Sequence, residues 1–402
     1  MNKEKFLVFV FTILFSGIFA QDTLFQLPEN NNIEWYDKIR LRGYTQLRYN
    51  GLIQTNPDLT CEQCDRSWGG DREFFFRRIR IVFFGQVHPR VYFYIQPDFA
   101  SSPGGGRLNF AQIRDAYFDV GLDEKNEYRF RIGQSKVPFG FENLQSSQNR
   151  LALDRNDGLN SAVANERDIG IFFYYAPKHV RERYSKLIRE GLKGSGDYGV
   201  FGLGVYDGQL PNQANLNDYH HYVARLSYPF KIGNQIFEPG IQAYTGRFTL
   251  KEGNVSDGVA HRSDLTYLDR RAAASAILYP QPFGIQAEYN IGQGPEYNKV
   301  NNEISLSDLH GGYVMLNGLI KYKDQKIYPF VKYQHYQGGK KHELDARSYE
   351  VNELEIGVEW LPYPNFEIVT QYTFSQRRYE DFQNPDNFQR GGLLRIQLQM
   401  NF

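Results

Sequence analysis

The chain has 402 residues, a formal net charge of zero, 16% aromatic residues and a mean hydropathy of −0.56. The balanced charge argues against nucleic acid as a partner, and beyond the N-terminal segment no run approaches the ~18 apolar residues of a membrane-spanning helix. A chain that is polar on average yet carries 29 Tyr and 31 Phe is typical of a transmembrane β-barrel, whose strands face lipid on one side and a polar lumen on the other.

The N-terminus has the features of a secretory signal peptide. Lys3 and Lys5 form a short basic start, residues 6–15 are almost wholly apolar, and small residues follow up to Ala20. This pattern predicts a signal peptide at 1–20 that is cleaved after Ala20. The alternative is a membrane anchor, for which the apolar run is short.

Beyond that segment, apolar and polar side chains alternate repeatedly with the period of a β-strand. We predict an all-β fold, a transmembrane antiparallel β-barrel of about 16 strands over residues 39–402, preceded by a periplasmic lead-in at 21–38. Each candidate strand has about the 9–11 residues that a tilted strand needs to cross the hydrocarbon. The candidates are 39–49, 74–87, 91–100, 110–120, 127–136, 167–176, 197–206, 220–229, 237–247, 270–279, 283–291, 311–322, 327–336, 351–361, 365–376 and 391–402.

The last of these strands shows the clearest pattern. From Leu394 to Phe402 every even position is apolar and every odd position is polar. The chain then ends on an aromatic residue, which resembles the signal by which outer-membrane barrels are recognised for insertion. A soluble edge strand is the alternative interpretation.

Short and long connections alternate along the chain, as in outer-membrane barrels, where tight turns lie on the periplasmic side. Short turns are predicted at 88–90, 121–126, 280–282, 323–326 and 362–364. Long segments are predicted at 50–73, 101–109, 137–166, 207–219, 248–269, 292–310, 337–350 and 377–390. Segment 177–196 is the exception: it falls at a turn position but is as long as a loop, which indicates an insertion or a short helix.

Two cysteines, Cys61 and Cys64, lie in one of the long segments. An exported chain meets an oxidising compartment, which favours a local disulfide. Free thiols or half of a metal site are the alternatives, although a zinc site needs two further ligands and no matching pair lies nearby.

Several predicted inner faces carry cations. A guanidinium that faces lipid near the middle of the bilayer costs ~2–4 kcal/mol, so water or loops must surround these groups. Rings of Arg and Lys produce anion-selective pores, and the planar guanidinium suits oxyanions. Alternatively, the cations only pair with carboxylates, and a basic wall on the early strands faces an acidic wall on the late ones, with Glu288, Glu353, Glu355, Glu359 and Glu367 as partners.

The longest predicted external segment is the third loop, 137–166, named L3 below. It carries Arg150 and Arg155, and a loop of this length is usually functional. We expect L3 to fold into the barrel and narrow it.

Four stretches between residues 70 and 175 resemble the phosphate-selective porin O and P family. In chain order they are FFFRRIR at 74–80, RDAY at 114–117, RIGQSKVPFG at 131–140 and ERDIG at 166–170. The resemblance implies a sixteen-stranded trimer with its third loop folded inward. It also implies an anion path built from arginines, with a central site that combines Arg, Lys and Asp.

On the matching motifs, the central site would draw on Arg77, Arg78, Asp115 and Lys136. The full set of expected anion-binding or pore-lining residues is Arg77, Arg78, Arg80, Asp115, Arg129, Arg131, Lys136, Arg150 and Arg155. The expectation is therefore an outer-membrane porin of a Gram-negative-type bacterium, a homotrimer in membrane lipid, through which small anions such as phosphate diffuse.

Three other functions remain open at this point. A non-selective porin would have the same barrel, and a receptor or adhesin would bind through its external loops. An enzyme is disfavoured, because His220 and His221 point to opposite faces of one strand and no hydrolase motif such as Gly-x-Ser-x-Gly occurs. We expect no cofactor and no metal site.

Overall fold

The computed structural model describes residues 35–64, 66–69, 72–101, 109–163 and 166–402. The predicted signal peptide and residues 21–34 of the predicted lead-in lie outside the described residues. A 3₁₀ turn at Trp35–Lys38 leads into the first strand.

Sixteen strands follow in these ranges, two of them briefly interrupted. They are β1 (Arg40–Gln54), β2 (Phe74–His88), β3 (Val91–Ser101), β4 (Phe110–Gly121), β5 (Tyr128–Lys136), β6 (Arg167–Tyr175), β7 (Phe201–Tyr206), β8 (His221–Ser227 and Phe230–Ile232), β9 (Gln235–Thr249), β10 (Thr266–Leu278), β11 (Phe283–Asn298), β12 (Glu303–Gly318 and Ile320–Tyr322), β13 (Gln325–Gly339), β14 (Ser348–Tyr363), β15 (Phe366–Glu380) and β16 (Asn387–Asn401).

Each strand pairs antiparallel with its neighbours in sequence, and β1 pairs with β16, so the sheet is closed. At the seam, Gly43 and Phe402 exchange backbone hydrogen bonds of 2.7 and 3.0 Å. Closure leaves no strand edge with unpaired backbone groups, which is what a bilayer demands. The predicted closed antiparallel barrel of sixteen strands is confirmed. Within the ranges given above, no helix is long and apolar enough to cross a bilayer.

Side chains alternate between a polar inner face and an apolar outer face. Along β16, Arg395, Gln397 and Gln399 are buried inside, whereas Met400 points outwards and is 58% exposed. The same alternation in β9 places Ile241 outside, 60% exposed. The period-two pattern in the sequence therefore reports the two faces of the wall.

The connections alternate as expected, with two corrections. The predicted long segment 377–390 is reduced to residues 381–386, because β15 runs to Glu380 and β16 begins at Asn387. The predicted long segment 292–310 is wrong, because β11 and β12 stay paired as far as Asn298 and Glu303 and residues 299–302 join them. Where strands project beyond the bilayer both faces meet water, so this polar, glycine-containing stretch lacks the alternation that identifies a strand.

Three α-helices lie in the connections of the described chain: α1 (Phe141–Leu144) and α2 (Asp157–Asn160) in L3, and α3 (Lys178–Arg189) in the turn between β6 and β7. Pro177 precedes α3 with its φ already near the helical value. Gly191, at φ +74°, ends it, and Leu192 N–H donates to the Leu187 carbonyl at 2.8 Å, the bond of a Schellman cap. The unexplained segment 177–196 is thus a capped helix.

Candidate functional site

L3 lies against the inner face of the barrel. Lys136 holds its first part, because the ammonium donates to the carbonyls of residues 143–145 at 3.0, 3.1 and 2.7 Å. From the wall, Arg48 donates to the Leu153 carbonyl at 2.9 Å and Gln371 accepts from the Leu153 amide at 2.8 Å. These contacts with β1 and β15 are those expected of a loop that enters the lumen.

Asp154 is the main ionic anchor of L3. Its carboxylate pairs with Arg395, lies 3.7 Å from Arg48 and accepts a 3.3 Å hydrogen bond from the Trp68 indole. Burial raises the pKa of this carboxyl, but Arg395 and Arg48 outweigh burial and hold the pKa well below its usual range. Asp154 therefore stays ionised, and its removal would take a counterion away from the buried Arg395 and Arg48.

Helix α3 also enters the barrel, from the end of the short turns. Val180, Tyr184, Leu187 and Ile188 repeat at helical spacing and are buried. Val180, Tyr184 and Leu187 form one apolar cluster with L3 and with inward side chains of β9, β10, β12, β13 and β15. The Tyr328 hydroxyl fixes the helix end through a 2.8 Å bond to the Gly191 carbonyl. This side of the lumen is therefore filled with protein.

The glutamates of the late strands are mostly neutralised. Glu353 accepts from Arg377 at 2.7 Å, Glu359 pairs with Lys193, and Glu355 lies 3.5 Å from Lys332. The predicted acidic wall is thus covered by ion pairs rather than presented to an open pore.

The early strands carry two bulges that add arginines to the inner face. Gln46 is paired with Arg78 and Leu47 with Phe76, so Arg77 is the extra residue in β2. In the same way, Arg114 is the extra residue in β4, between Asp115 and Ile113. Strict alternation assigns one residue of each adjacent pair to the lipid side, but a bulge lets both side chains reach the lumen.

A dense group of charges results, which we call the basic cluster. It contains eight cations and three carboxylates, hence a net charge of +5, and most of its members are less than 10% exposed. Its members interact with one another across β2–β6 and L3. They are Arg77, Arg78, Arg80, Arg114, Lys136, Arg150, Arg155, Arg167, Asp98, Asp115 and Glu166.

Each carboxylate of the cluster binds specific cations. Arg80 donates to Asp98 at 2.7 Å, and Arg167 donates to both oxygens of Asp115 at 2.8–3.1 Å. Glu166 forms ion pairs with Arg155, Lys136 and Arg167. Burial raises the pKa of the Glu166 carboxyl, but these three cations outweigh burial and hold it well below its usual range.

Arg78 and Arg150 are different, because neither pairs with a carboxylate in the described ranges. Arg78 donates to the Gln46 side chain at 2.8 Å, and Arg150 donates to the carbonyls of Ala152 and Leu153, both at 2.9 Å. The Arg78 Nε and the Arg150 Nη1 are buried and have no hydrogen-bond partner among the described residues.

Two predicted site residues lie elsewhere. Arg131 binds both oxygens of Asp119 at 2.8 and 2.9 Å, and Arg129 pairs with Asp197 at 2.8 Å. Both line a separate small cavity near the short turns, together with Arg181 of α3. The structure thus brings seven of the nine predicted residues into one cluster and adds Arg114 and Arg167, which belong to the RDAY and ERDIG motifs.

A comparison with protein families agrees with the closed barrel. The model of the phosphate-selective porin O and P family matches residues 58–402. The chain belongs to this family. Comparison with the curated protein sequences finds no match.

Solved porin structures share the fold of this porin at low sequence identity. Each aligns with 90% of this chain, and the TM-scores lie above 0.5. They are the outer membrane channel DcaP of Acinetobacter baumannii (13% identity, 97% of that chain, TM-score 0.55), Salmonella typhi OmpF in complex with daunomycin (11%, 97%, 0.59) and the trimer form of OmpT of Vibrio cholerae (10%, 99%, 0.53). The family match together with this shared fold identifies the porin as an outer-membrane channel.

Proposed function

We propose that this porin conducts small solutes with a preference for anions, and that the basic cluster binds oxyanions such as phosphate. The observation that carries the proposal is the surplus of cations in the cluster, where Arg78 and Arg150 lack a carboxylate partner in the described chain. A buried charge without a counterion is strongly unfavourable, so an entering anion lowers the free energy of the site.

The geometry of the cluster also suits a phosphate. The guanidinium is planar and donates in a fork that matches two oxyanion oxygens. The unpaired N–H groups, Arg78 Nε and Arg150 Nη1, come from β2 and L3, so an anion between wall and loop would satisfy both.

The other predicted residues are assigned supporting roles. Arg77, Arg80 and Arg155 raise the local positive potential, whereas Asp115 and Lys136 fix Arg167 and L3. Arg129 and Arg131 stand at the periplasmic exit, where they would guide anions out of the narrow region.

A general porin is the second candidate function. Four of the eight cations of the cluster are already paired with carboxylates, which favours a channel with little ion preference. Reduced phosphate binding in a variant of one unpaired arginine would distinguish the two functions, because a general porin has no such site.

We also propose that residues 1–20 are removed on export and that the porin assembles as a trimer. The basic, apolar and small-residue order of the N-terminus supports the first point. The resemblance to the family and the trimer form of the similar OmpT support the second.

The direct test is phosphate block of chloride current in planar bilayers. Added phosphate should reduce the current of the wild-type porin. In Arg78→Gln the half-blocking concentration should rise about tenfold or more, because a hydrogen bond to a charged group is lost. Arg262→Gln, an exposed loop residue, serves as the charge-matched control. Absence of block in the wild type, or equal block in Arg78→Gln, would contradict the proposal.

A further inference from the structure

The outer face of the barrel has an apolar groove of about 570 Å³ across β5–β9. Its floor is formed by small residues, among them Gly204, Ala224 and Ala243, and its sides include Phe130 and Phe173. The groove lies on the lipid side of the wall, away from the basic cluster and from L3. A surface of this shape accommodates a linear apolar chain more closely than a flat wall does.

Two arginines point outwards beside the upper end of the groove. Thr245 lines the groove and is paired with Arg270 of β10, and Arg247 follows two residues further along β9. Both side chains are on exposed outward positions. Residues two apart across neighbouring strands are diagonal neighbours on the same face, about 7–8 Å apart.

Neither arginine pairs with a carboxylate of the described chain. Arg247 stacks over the Tyr219 ring, 5.0 Å from its centre. Arg270 donates from Nε and Nη2 to the Gln293 amide oxygen at 3.1 and 2.6 Å. Gln293 in turn donates to Asp308 at 2.8 Å, two strands away from Arg270. Elsewhere on the outer face, Arg378 is paired with Glu350 at 3.1 Å.

The height of the pair matches the outer surface of the bilayer. Arg247 lies ten residues after Phe237 along β9. At about 3.4 Å per residue and a tilt of about 40°, this is roughly 25 Å along the membrane normal, the height of the apolar band of an outer-membrane barrel. The outward positions between them are Pro239, Ile241, Ala243 and Thr245, so Arg247 is the first charge that the outward face of β9 presents.

We infer that this face binds one phosphorylated lipid of the outer leaflet, with an acyl chain in the groove and a phosphate at Arg247 and Arg270. Guanidinium groups recognise phosphate through paired hydrogen bonds. At the interface an arginine is tolerated at little cost, and these two lack the counterion that a lipid phosphate supplies.

Charge complementarity favours a lipid over a second copy of the chain. A protein partner would have to bury two arginines and offer carboxylates opposite them. Copies of the porin have another apolar surface available on β2–β4, where Phe83, Ile95 and Phe118 are each 42–43% exposed.

The test is native mass spectrometry of the full mature porin with three probes: diphosphoryl lipid A, the same lipid without phosphates, and inorganic phosphate. The wild type should retain one diphosphoryl lipid. Arg247→Gln with Arg270→Gln should weaken its binding about tenfold or more, and Ala243→Phe should weaken it by filling the groove. Arg378→Gln is the matched control and should bind as the wild type does.

Three results would overturn the inference. The first is equal retention of the lipid without phosphates, and the second is full competition by inorganic phosphate, which would assign the arginines to a free anion. The third is a change of oligomeric state, instead of lipid binding, in Ala243→Phe, which would assign the groove to a second copy. Because the exposed arginines are distant from the basic cluster, chloride conductance should be unchanged in the double variant, so this test is independent of the proposed selectivity.

Discussion

Helix α3 offers the sharpest test of how the lumen is filled. Leu187 is fully buried in the apolar cluster between α3, L3 and the late strands. Leu187→Ala removes a buried side chain of a kind whose loss costs about 2–5 kcal/mol. With 1.4 kcal/mol for each tenfold change, the population with α3 undocked should rise by about 30- to 3000-fold.

Hydrogen–deuterium exchange of residues 178–192 measures this population directly. The amides of this segment should exchange faster in Leu187→Ala, while those of the strands should not, since the strand ladder does not depend on α3. Single-channel conductance should also rise, because the undocked helix leaves the lumen. Lys186→Ala is the control, with a side chain 47% exposed on the same helix. Unchanged exchange at 178–192, or an equal increase in all strands, would refute the reasoning.

Four further predictions concern L3 and the external loops. Asp154→Asn should loosen L3 and make the open-channel current noisier, because it removes a counterion of the buried Arg395 and Arg48; a quiet current would count against Asp154 as an anchor of L3. Since the pKa of Asp154 is held low, its stabilisation is present above the ordinary value near 3.9 and is lost only below it, so the difference in current noise between the wild type and Asp154→Asn should stay the same from pH 7 to about pH 4.5. Lys136→Glu should lower the permeability of anions relative to cations, and an unchanged reversal potential would argue against a role of Lys136 in ion selectivity. Replacement of Cys61 and Cys64, which form a disulfide, by serine should cost at most about 2 kcal/mol, since the closed loop is short, as thermal unfolding would show.

The strands could be predicted from the sequence because the bilayer imposes two different solvents on one strand. Within the membrane, lipid favours apolar residues and the lumen favours polar residues, so the two types alternate along each strand, as they do from Leu394 to Phe402. Beyond the membrane this demand disappears, which is why the upper parts of β11 and β12 in 292–310 were mistaken for a loop.

The candidate site was only partly predictable. Period-two alternation finds Arg78 and Arg80, but the bulges at Arg77 and Arg114 break the period, and nothing in a single sequence marks a bulge in an arginine-rich strand. Only the family motifs pointed to the stretch that contains Arg114.

Sequence patterns could not predict which charged residues pair across the lumen. The contacts of Lys193 with Glu359 and of Lys332 with Glu142 join residues more than 160 positions apart. Whether a lumen charge meets water or a counterion depends on where L3 and α3 fold, and that is set by tertiary packing rather than by local periodicity.

The zero-current reversal potential of the wild-type porin in a KCl gradient shows directly whether the channel prefers anions. With the basic cluster in the conduction path, we expect a potential whose sign shows chloride to be more permeable than potassium, and a shift towards zero in Arg78→Gln. A potential at zero, or one that favours potassium, would contradict an anion-selective channel.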